Sequence, residues 1–151
     1  MPRLSVEMNI LHEAGWEVLP RNECILGLGS QQIGRIALSA DALPVVLPVY
    51  FVYDGSMIVF RTRSGSVLDR NCRNTVVAFE VDSHDSGRKT GWSVMAVGVA
   101  KVLSDRLVAT QHAARLDHIG APEGDVLIGI DPGSITGRAL SAAPTLVATD
   151  D

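Results

Sequence analysis

A β-hairpin is predicted by Pro44-Val45-Val46-Leu47-Pro48-Val49-Tyr50-Phe51-Val52-Tyr53, Asp54-Gly55 and Met57-Ile58-Val59-Phe60. The first run is rich in β-branched and aromatic residues, which favour a strand, and Asp-Gly is a strong signal for a two-residue turn. The last run returns as the second strand. This hairpin is the strongest local signal in the chain, and the remaining segments are interpreted around it.

The return strand leads into a polar segment, Arg61-Thr62-Arg63-Ser64-Gly65-Ser66, and then into a predicted short helix over residues 67–72. A helix N-terminus offers unpaired backbone N–H groups and the positive end of the helix dipole, which suits a phosphate. The side chains available around such an anion are those of Arg61, Thr62, Ser64 and Ser66. The alternative is that Ser64 or Ser66 only caps the helix, while Arg61 and Arg63 lie in solvent.

Strands dominate the rest of the chain. Apolar runs predict strands over residues 33–39, 75–82, 92–103, 126–130 and 134–140, and short helices are predicted over residues 20–28 and 105–119. Residues 83–90 read as a polar loop, and Gly98 in the middle of a long strand suggests a bulge or a bend. Asp131-Pro132-Gly133 separates the last two predicted strands. This order favours a closed antiparallel barrel over a doubly wound sheet.

The length of 151 residues is enough for one domain with a real core. We expect an N-terminal arm over residues 1–18, a barrel domain over residues 19–141 and a C-terminal tail over residues 142–151. Residues 45–53 and 94–103 are apolar on both alternating faces, so the outer face of the barrel needs a cover. A homodimer is the economical cover, and the terminal helices are the alternative.

Charge and composition narrow the function further. The net charge of −4 argues against a nucleic-acid partner, and no apolar run is long enough for a membrane span. Cys24 and Cys72 are far apart and fit neither a disulfide framework nor a metal site, which favours a cytoplasmic protein. The four histidines, His12, His84, His112 and His118, show no metal-ligand spacing and are expected at the surface.

Several short segments, in this order, resemble the pyridoxamine 5′-phosphate oxidase-like family of flavin-binding split barrels, above all its small actinobacterial members. The segments are Gly34-Arg35-Ile36-Ala37, residues 44–49, Phe60-Arg61-Thr62 with Gly65-Ser66, residues 77–82, Gly91-Trp92-Ser93-Val94, Gly98-Val99-Ala100 and Ile135-Thr136-Gly137-Arg138. The resemblance covers about residues 20–140. It implies a six-stranded antiparallel split β-barrel of Greek-key type with short flanking helices, assembled as a homodimer with flavin mononucleotide (FMN) at the interface.

The resemblance also implies the positions of the cofactor contacts. The phosphate is expected at Arg61, Thr62 and the loop Ser64, Gly65, Ser66 and Val67, and the flavin ring beside the strand residues Leu47, Pro48 and Val49. Trp92 and Ser93 match a strand start that approaches the cofactor from the other subunit. The implied activity is an oxidoreductase that passes hydride to a small electron-poor molecule, because flavins supply that chemistry while the protein binds and orients.

One position departs from the family pattern. The family usually reads Gly-Ser-Lys-Leu, whereas this chain has Val67 in place of the phosphate-binding lysine. A charge-assisted contact is worth about 1.5 to 3 kcal/mol, so its loss weakens phosphate binding unless Arg63 or Arg70 substitutes. Two alternatives to the FMN enzyme follow: a reductase that uses a deazaflavin cofactor with a longer charged tail, and a non-catalytic protein that carries flavin, haem or a tetrapyrrole.

Overall fold

The computed structural model describes residues 16–140. The strands are β1 (Glu17–Val18), β2 (Ile33–Ala40), β3 (Leu43–Tyr50), β4 (Val52–Tyr53), β5 (Ile58–Thr62), β6 (Thr75–Asp85), β7 (Thr90–Val102) and β8 (Val126–Leu140). The helices are α1 (Arg21–Gly29), α2 (Val67–Asn71) and α3 (Arg106–His118). The expected C-terminal tail and residues 1–15 of the expected arm lie outside the described residues.

All neighbouring strands pair antiparallel, in the order β3-β2-β6-β7-β8-β5-β4, and β1 adds to β8. The first and last strands of this order, β3 and β4, follow one another in the chain and are separated only by Phe51. β3 and β4 are therefore two parts of one bent strand, which pairs with β2 on one side and with β5 on the other. This double pairing curls the sheet into a barrel. The predicted split barrel is confirmed, although the sheet has eight strand segments and not six. Six remain when β3 and β4 count as one strand and the two-residue β1 is set aside.

The two last predicted strands are in fact one strand. Gly98 pairs with Pro132 while Val97 pairs with Ser134, so Gly133 is an extra residue in β8. A Cβ atom on Gly98 would overlap the Asp131 carbonyl group, so the bulge needs a glycine at this position. The predicted bulge is confirmed. The Asp-Pro-Gly turn signal is overridden because β7 supplies a full-length pairing partner on both sides of it.

The hairpin of β6 and β7 is longer than expected. Pairing continues to Asp85↔Thr90, so most of the predicted polar loop over residues 83–90 is strand. The other hairpin turn, Asp41-Ala42, has positive φ at both residues, 49° and 62°, which is the geometry of a tight two-residue β-turn.

The core fills the inside of the barrel. Phe51 and Phe79 meet edge to face with their ring centroids 4.8 Å apart. The other large side chains of this core are those of Leu28, Ile36, Ile58, Phe60, Ile128 and Ile130. Cys24 and Cys72 are buried there as free thiols, and burial raises the pKa of Cys72 to about 11. Both cysteines are therefore structural, as expected.

Helix α3 packs on β4 and β5 through a smaller cluster of Val52, Val59, Leu116 and Ala121. His112 was expected at the surface but is a buried residue of this helix. Its Nε2 contacts the Asp54 carboxylate at 2.7 Å, and its Nδ1 contacts the Val108 carbonyl at 2.7 Å. These two contacts tie α3 to the turn between β4 and β5. No helix within residues 16–140 has the length and apolar character of a membrane span.

Candidate functional site

A groove of about 450 Å³ runs between the end of β3, the end of β5 and the segment after α3. It is lined by Ile33, Pro48, Val49, Tyr50, Arg61, Thr62, Arg63, Leu68, Ala121, Pro122 and Glu123. One wall is apolar and extended, while the other end carries two guanidinium groups. The expected ring segment (Pro48, Val49) and the expected phosphate segment (Arg61, Thr62) therefore lie on one groove.

A second cavity of about 520 Å³ continues from the charged end of this groove. The two cavities share Arg61, Arg63 and Glu123, and the second adds Gly124 and Asp125. A Cβ atom on Gly124 would lie 2.7 Å from the Thr62 carbonyl oxygen, so the segment after α3 lies directly against the end of β5. Residues 121–125 are thus a wall of the site, although no sequence pattern indicated them.

Arg61 is not a solvent-facing side chain, contrary to the alternative interpretation of the sequence. Only 8% of its side chain is exposed. Its Nε donates to the Pro122 carbonyl at 2.8 Å, one terminal nitrogen donates to the Ala121 carbonyl at 2.9 Å, and the other pairs with Asp117 at 2.8 Å. Arg61 therefore fixes the wall of the groove, and only its remaining N–H groups are available to a ligand.

The start of α2 is capped as the alternative interpretation predicted. The Ser66 hydroxyl accepts from the Asp69 backbone N–H at 3.1 Å and lies 2.7 Å from the Thr62 hydroxyl. A serine that accepts from the third residue of a helix is the usual N-cap arrangement. Thr62 and Ser66 are thus brought together, and their hydroxyl groups already bond to each other.

Two carboxylates occupy the loop where a phosphate was expected. The Gly65 N–H donates to Asp69 and the Ser64 N–H donates to Asp125, each at 2.8 Å. The Gly65 N–H and the Arg73 guanidinium lower the pKa of Asp69, and the Ser64 N–H lowers the pKa of Asp125. Both groups are therefore anionic at neutral pH, and they satisfy the two amides that an incoming phosphate would use.

The remaining predicted site residues divide between the groove and other parts of the fold. Val67 is 39% exposed at the start of α2, and Leu47 packs against the barrel core instead of lining the groove. Trp92 and Ser93 lie away from the groove in the same protomer. They line a third cavity of about 250 Å³, here named the tryptophan pocket. Its residues are Trp16, Glu80, Asp82, Ser83, His84, Gly91, Trp92, Ser93, Arg138 and Leu140.

Several residues of the site have no signal in the sequence. Asp117 and Pro122 contact Arg61 across 55 or more positions of the chain, and such long-range pairs leave no periodic trace. Asp69 was recoverable, because an acidic residue three positions after a capping serine is a known N-terminal pattern. Within residues 16–140 no group of three or more His, Cys, Asp or Glu side chains is arranged to hold a metal ion.

The closed antiparallel sheet with a half-apolar, half-cationic groove defines a split-barrel protein of the cofactor-binding type. The chain belongs to the pyridoxamine 5′-phosphate oxidase family, which matches residues 20–139. This confirms the resemblance inferred from the sequence segments.

Individual relatives agree with this assignment. The uncharacterized protein Rv0080 of Mycobacterium tuberculosis is 33% identical over 130 residues, which cover 82% of this chain and 85% of that protein. A solved FAD-binding protein from Mycobacterium smegmatis is 30% identical with a TM-score of 0.69, covering 83% of this chain and 98% of the other. A solved FAD-binding protein from Mesorhizobium loti is 25% identical with a TM-score of 0.68, covering 83% and 99%.

Proposed function

We propose that this protein binds a flavin, FMN in the first instance, and acts as an oxidoreductase that delivers hydride to a small electron-poor molecule. The observation that carries the proposal is the groove, which joins the apolar strand end at Pro48 and Val49 to the guanidinium groups of Arg61 and Arg63. A flavin has the same two-part chemistry, a planar ring followed by a phosphorylated chain. Two of the solved relatives are FAD-binding proteins, which supports a flavin of either type.

The apolar part of the groove suits the ring. Pro48, Val49 and Tyr50 present a strand end next to Ile33 and Leu68, so a planar ring can lie on them with its edge towards backbone groups. In this assignment the strand binds and orients the ring, and the wall of residues 121–123 excludes water from one side. The flavin supplies the hydride chemistry when bound, so an acid–base pair is not required for the reaction class.

The charged part suits a phosphate less well. Arg61 and Arg63 provide positive charge, but Asp69 and Asp125 hold the Gly65 and Ser64 amides. A phosphate monoester carries close to two negative charges, so it is repelled by these carboxylates and lacks the lysine that Val67 replaces. We infer that the charged end holds an anion through its arginines and not through the α2 loop.

A homodimer is part of the proposal. The paired residues Val46, Ala37, Ala78 and Val97 form one row across the outer face of the sheet. Val46 is 63% exposed and Val76 is 48% exposed, so no part of residues 16–140 covers this face. A second copy would cover it and bring Trp92 and Ser93 towards the partner's groove, as the family resemblance implies.

The test is a titration of the purified full-length chain with FMN, FAD and a deazaflavin cofactor, each followed by absorbance and fluorescence. We expect flavin binding, bleaching of the flavin band by NAD(P)H without oxygen, and recovery of the band with an electron acceptor. Binding without bleaching would support a carrier without turnover. If none of the three cofactors bound, the assignment of the groove as a flavin site would be refuted.

A deazaflavin cofactor is the second candidate. It is favoured by one observation, the two carboxylates on the Ser64 and Gly65 amides, together with Val67 in place of lysine. The phosphate of a deazaflavin cofactor is a diester, and a longer charged tail continues beyond it. The cavity lined by Gly124 and Asp125 offers room for such a tail. Tighter binding of the deazaflavin than of FMN in the same titration would select this candidate.

A further inference from the structure

The outer face of the sheet carries a group of charged side chains next to its exposed apolar row. One terminal nitrogen of Arg35 donates to Oε1 of Glu80 at 2.9 Å and lies 2.9 Å from the Asp82 carboxylate. The Nε of Arg35 also donates to Oε1 of Glu80, at 3.3 Å. The three side chains are 34–45% exposed in the single protomer. Within residues 16–140 the other terminal nitrogen of Arg35 has no hydrogen-bond partner, so this group can still bond to a second carboxylate.

Two neighbouring rows of side chains cross β3, β2, β6 and β7 on this face. In that strand order they are Pro48, Arg35, Glu80 and Met95, and Val46, Ala37, Ala78 and Val97. The second row has two alanines at its centre, one on β2 and one on β6, with a valine on either side. The first row has the ion pair at the same place, with an uncharged side chain on either side. Both rows are therefore arranged about a line between β2 and β6.

A face that packs on a second copy of itself must be complementary to itself about a twofold axis in the plane of the interface. An axis between β2 and β6, along the strands, sets Arg35 against the partner's Glu80 and Ala37 against the partner's Ala78. An axis along β2 would instead set Arg35 against the partner's Arg35, and an axis along β6 would do the same for Glu80. An axis across the strands would lay β2 on β2, which contains no acidic residue to face Arg35. Because like charges in contact across an interface are costly, the charges favour the axis between the two strands.

We propose that the dimer interface is centred between β2 and β6, where Arg35 and Glu80 of the two subunits form one four-membered ionic cluster. The partner is a second copy of this chain, and the inference rests on the proposed homodimer. The same axis lays β7 on β3 of the other subunit, so that Met95 lies against the partner's Pro48, a residue of the groove. Because the burial of charges costs desolvation, we expect the cluster to fix the alignment of the subunits more than to add affinity.

Charge reversal tests whether these groups face each other across the interface. Arg35→Glu makes the cluster of a subunit wholly acidic, and Glu80→Arg gives it two guanidinium groups. We expect each variant alone to dimerise about hundredfold more weakly than the parent in sedimentation equilibrium of the full-length chain, since like charges then face each other. An equimolar mixture of the two variants should dimerise about as tightly as the parent, because each glutamate of one subunit then faces an arginine of the other. A pair that acted only within one subunit would not be restored by mixing.

The matched control is Arg106→Glu, which makes the same change of charge at an exposed residue of α3 and should dimerise like the parent. Circular dichroism checks that each variant is folded. If a reversal unfolds its subunit, Arg35→Gln and Glu80→Gln replace the pair, and their mixture should dimerise about tenfold more tightly than either alone.

Two results would overturn the ionic cluster and leave the homodimer in place. They are variants that dimerise as tightly as the parent, and folded variants whose mixture dimerises no better than each alone. A monomeric parent chain would instead refute the homodimer itself, and the cluster with it.

Discussion

Substitution of Arg61 by alanine is expected to destabilise the protein as well as its groove. The side chain is 8% exposed and holds the carbonyl groups of Ala121 and Pro122 and the carboxylate of Asp117. Hydrogen bonds from a charged donor are worth about 1.5–3 kcal/mol each, so the two carbonyl contacts amount to at most about 3–6 kcal/mol. The groove admits water to the freed carbonyls, and Asp117 is 68% exposed and regains its hydration. We therefore expect a net loss of about 2–3 kcal/mol.

Thermal and urea unfolding measure this loss. For a domain of this size, about 2–3 kcal/mol corresponds to a decrease in Tm of roughly 5–10 °C. The matched control is Arg63→Ala, which removes the same charge from the same groove at an exposed position, and its stability should change by less than about 0.5 kcal/mol. Both variants should bind an anionic cofactor more weakly. If the Arg61→Ala variant had the same Tm as the parent protein, the guanidinium would not fix the wall of residues 121–123.

Further substitutions test the loop at the start of α2, the outer face of the sheet and the contact between Asp54 and His112. Val67→Lys adds a cation at the start of α2 and should leave FMN binding unchanged in isothermal titration, because the arginines and not the α2 loop hold the anion; a gain of about tenfold that falls steeply with salt would place the phosphate at that loop. Asp125→Asn should tighten FMN binding, because it removes a negative charge while keeping an acceptor for the loop, and weaker binding would contradict this. Val46→Glu puts a charge in the exposed row and should halve the mass in sedimentation, whereas an unchanged mass would remove that row from the interface. Burial raises the pKa of Asp54, but hydrogen bonds from the Met57 N–H and His112 outweigh it and lower the pKa overall. The stabilisation is then fully present above the unfolded carboxyl pKa of about 4 and is lost as pH falls through the lowered pKa of the folded protein, so Asp54→Asn should cost about 1–2 kcal/mol at pH 7 and progressively less as pH falls below about 4 in urea unfolding.

Local patterns predicted much of this fold. The strand and turn composition of residues 44–60, the helix cap at Ser66 and the bulge at Gly98 depend on neighbours in the chain, so the sequence carries them directly. The two strands predicted around residues 131–133 were merged because a partner strand outweighs a turn signal. The same tertiary effect extended the β6–β7 hairpin beyond the predicted strand end.

The site was predicted only in part for a related reason. Pro48, Val49, Arg61 and Thr62 do line one groove, but the predicted hairpin formed only in part: Val52 and Tyr53 pair with β5, whereas β3 pairs with β2. The hydrogen-bond partners of Arg61 and the carboxylate on the Ser64 amide come from the segment after α3, about 60 residues away. Burial of His112 likewise depends on where α3 packs. Such contacts are set by topology, which a single sequence does not encode in any short pattern.

The order in which the strands pair has a consequence for how this chain reaches its native state. The β2–β3 and β6–β7 pairings are hairpins, and β7 pairs with β8 across helix α3, whereas β5 meets β8 over a still longer stretch of chain through Ile58↔Ile130. Closing so long a loop costs entropy before any contact repays it, so this pairing forms late in folding. The charged end of the groove, with Arg61 and Thr62 on β5, depends on that pairing. Refolding kinetics should therefore show hairpin structure first and binding competence last, and a ligand of the groove should slow unfolding without accelerating folding.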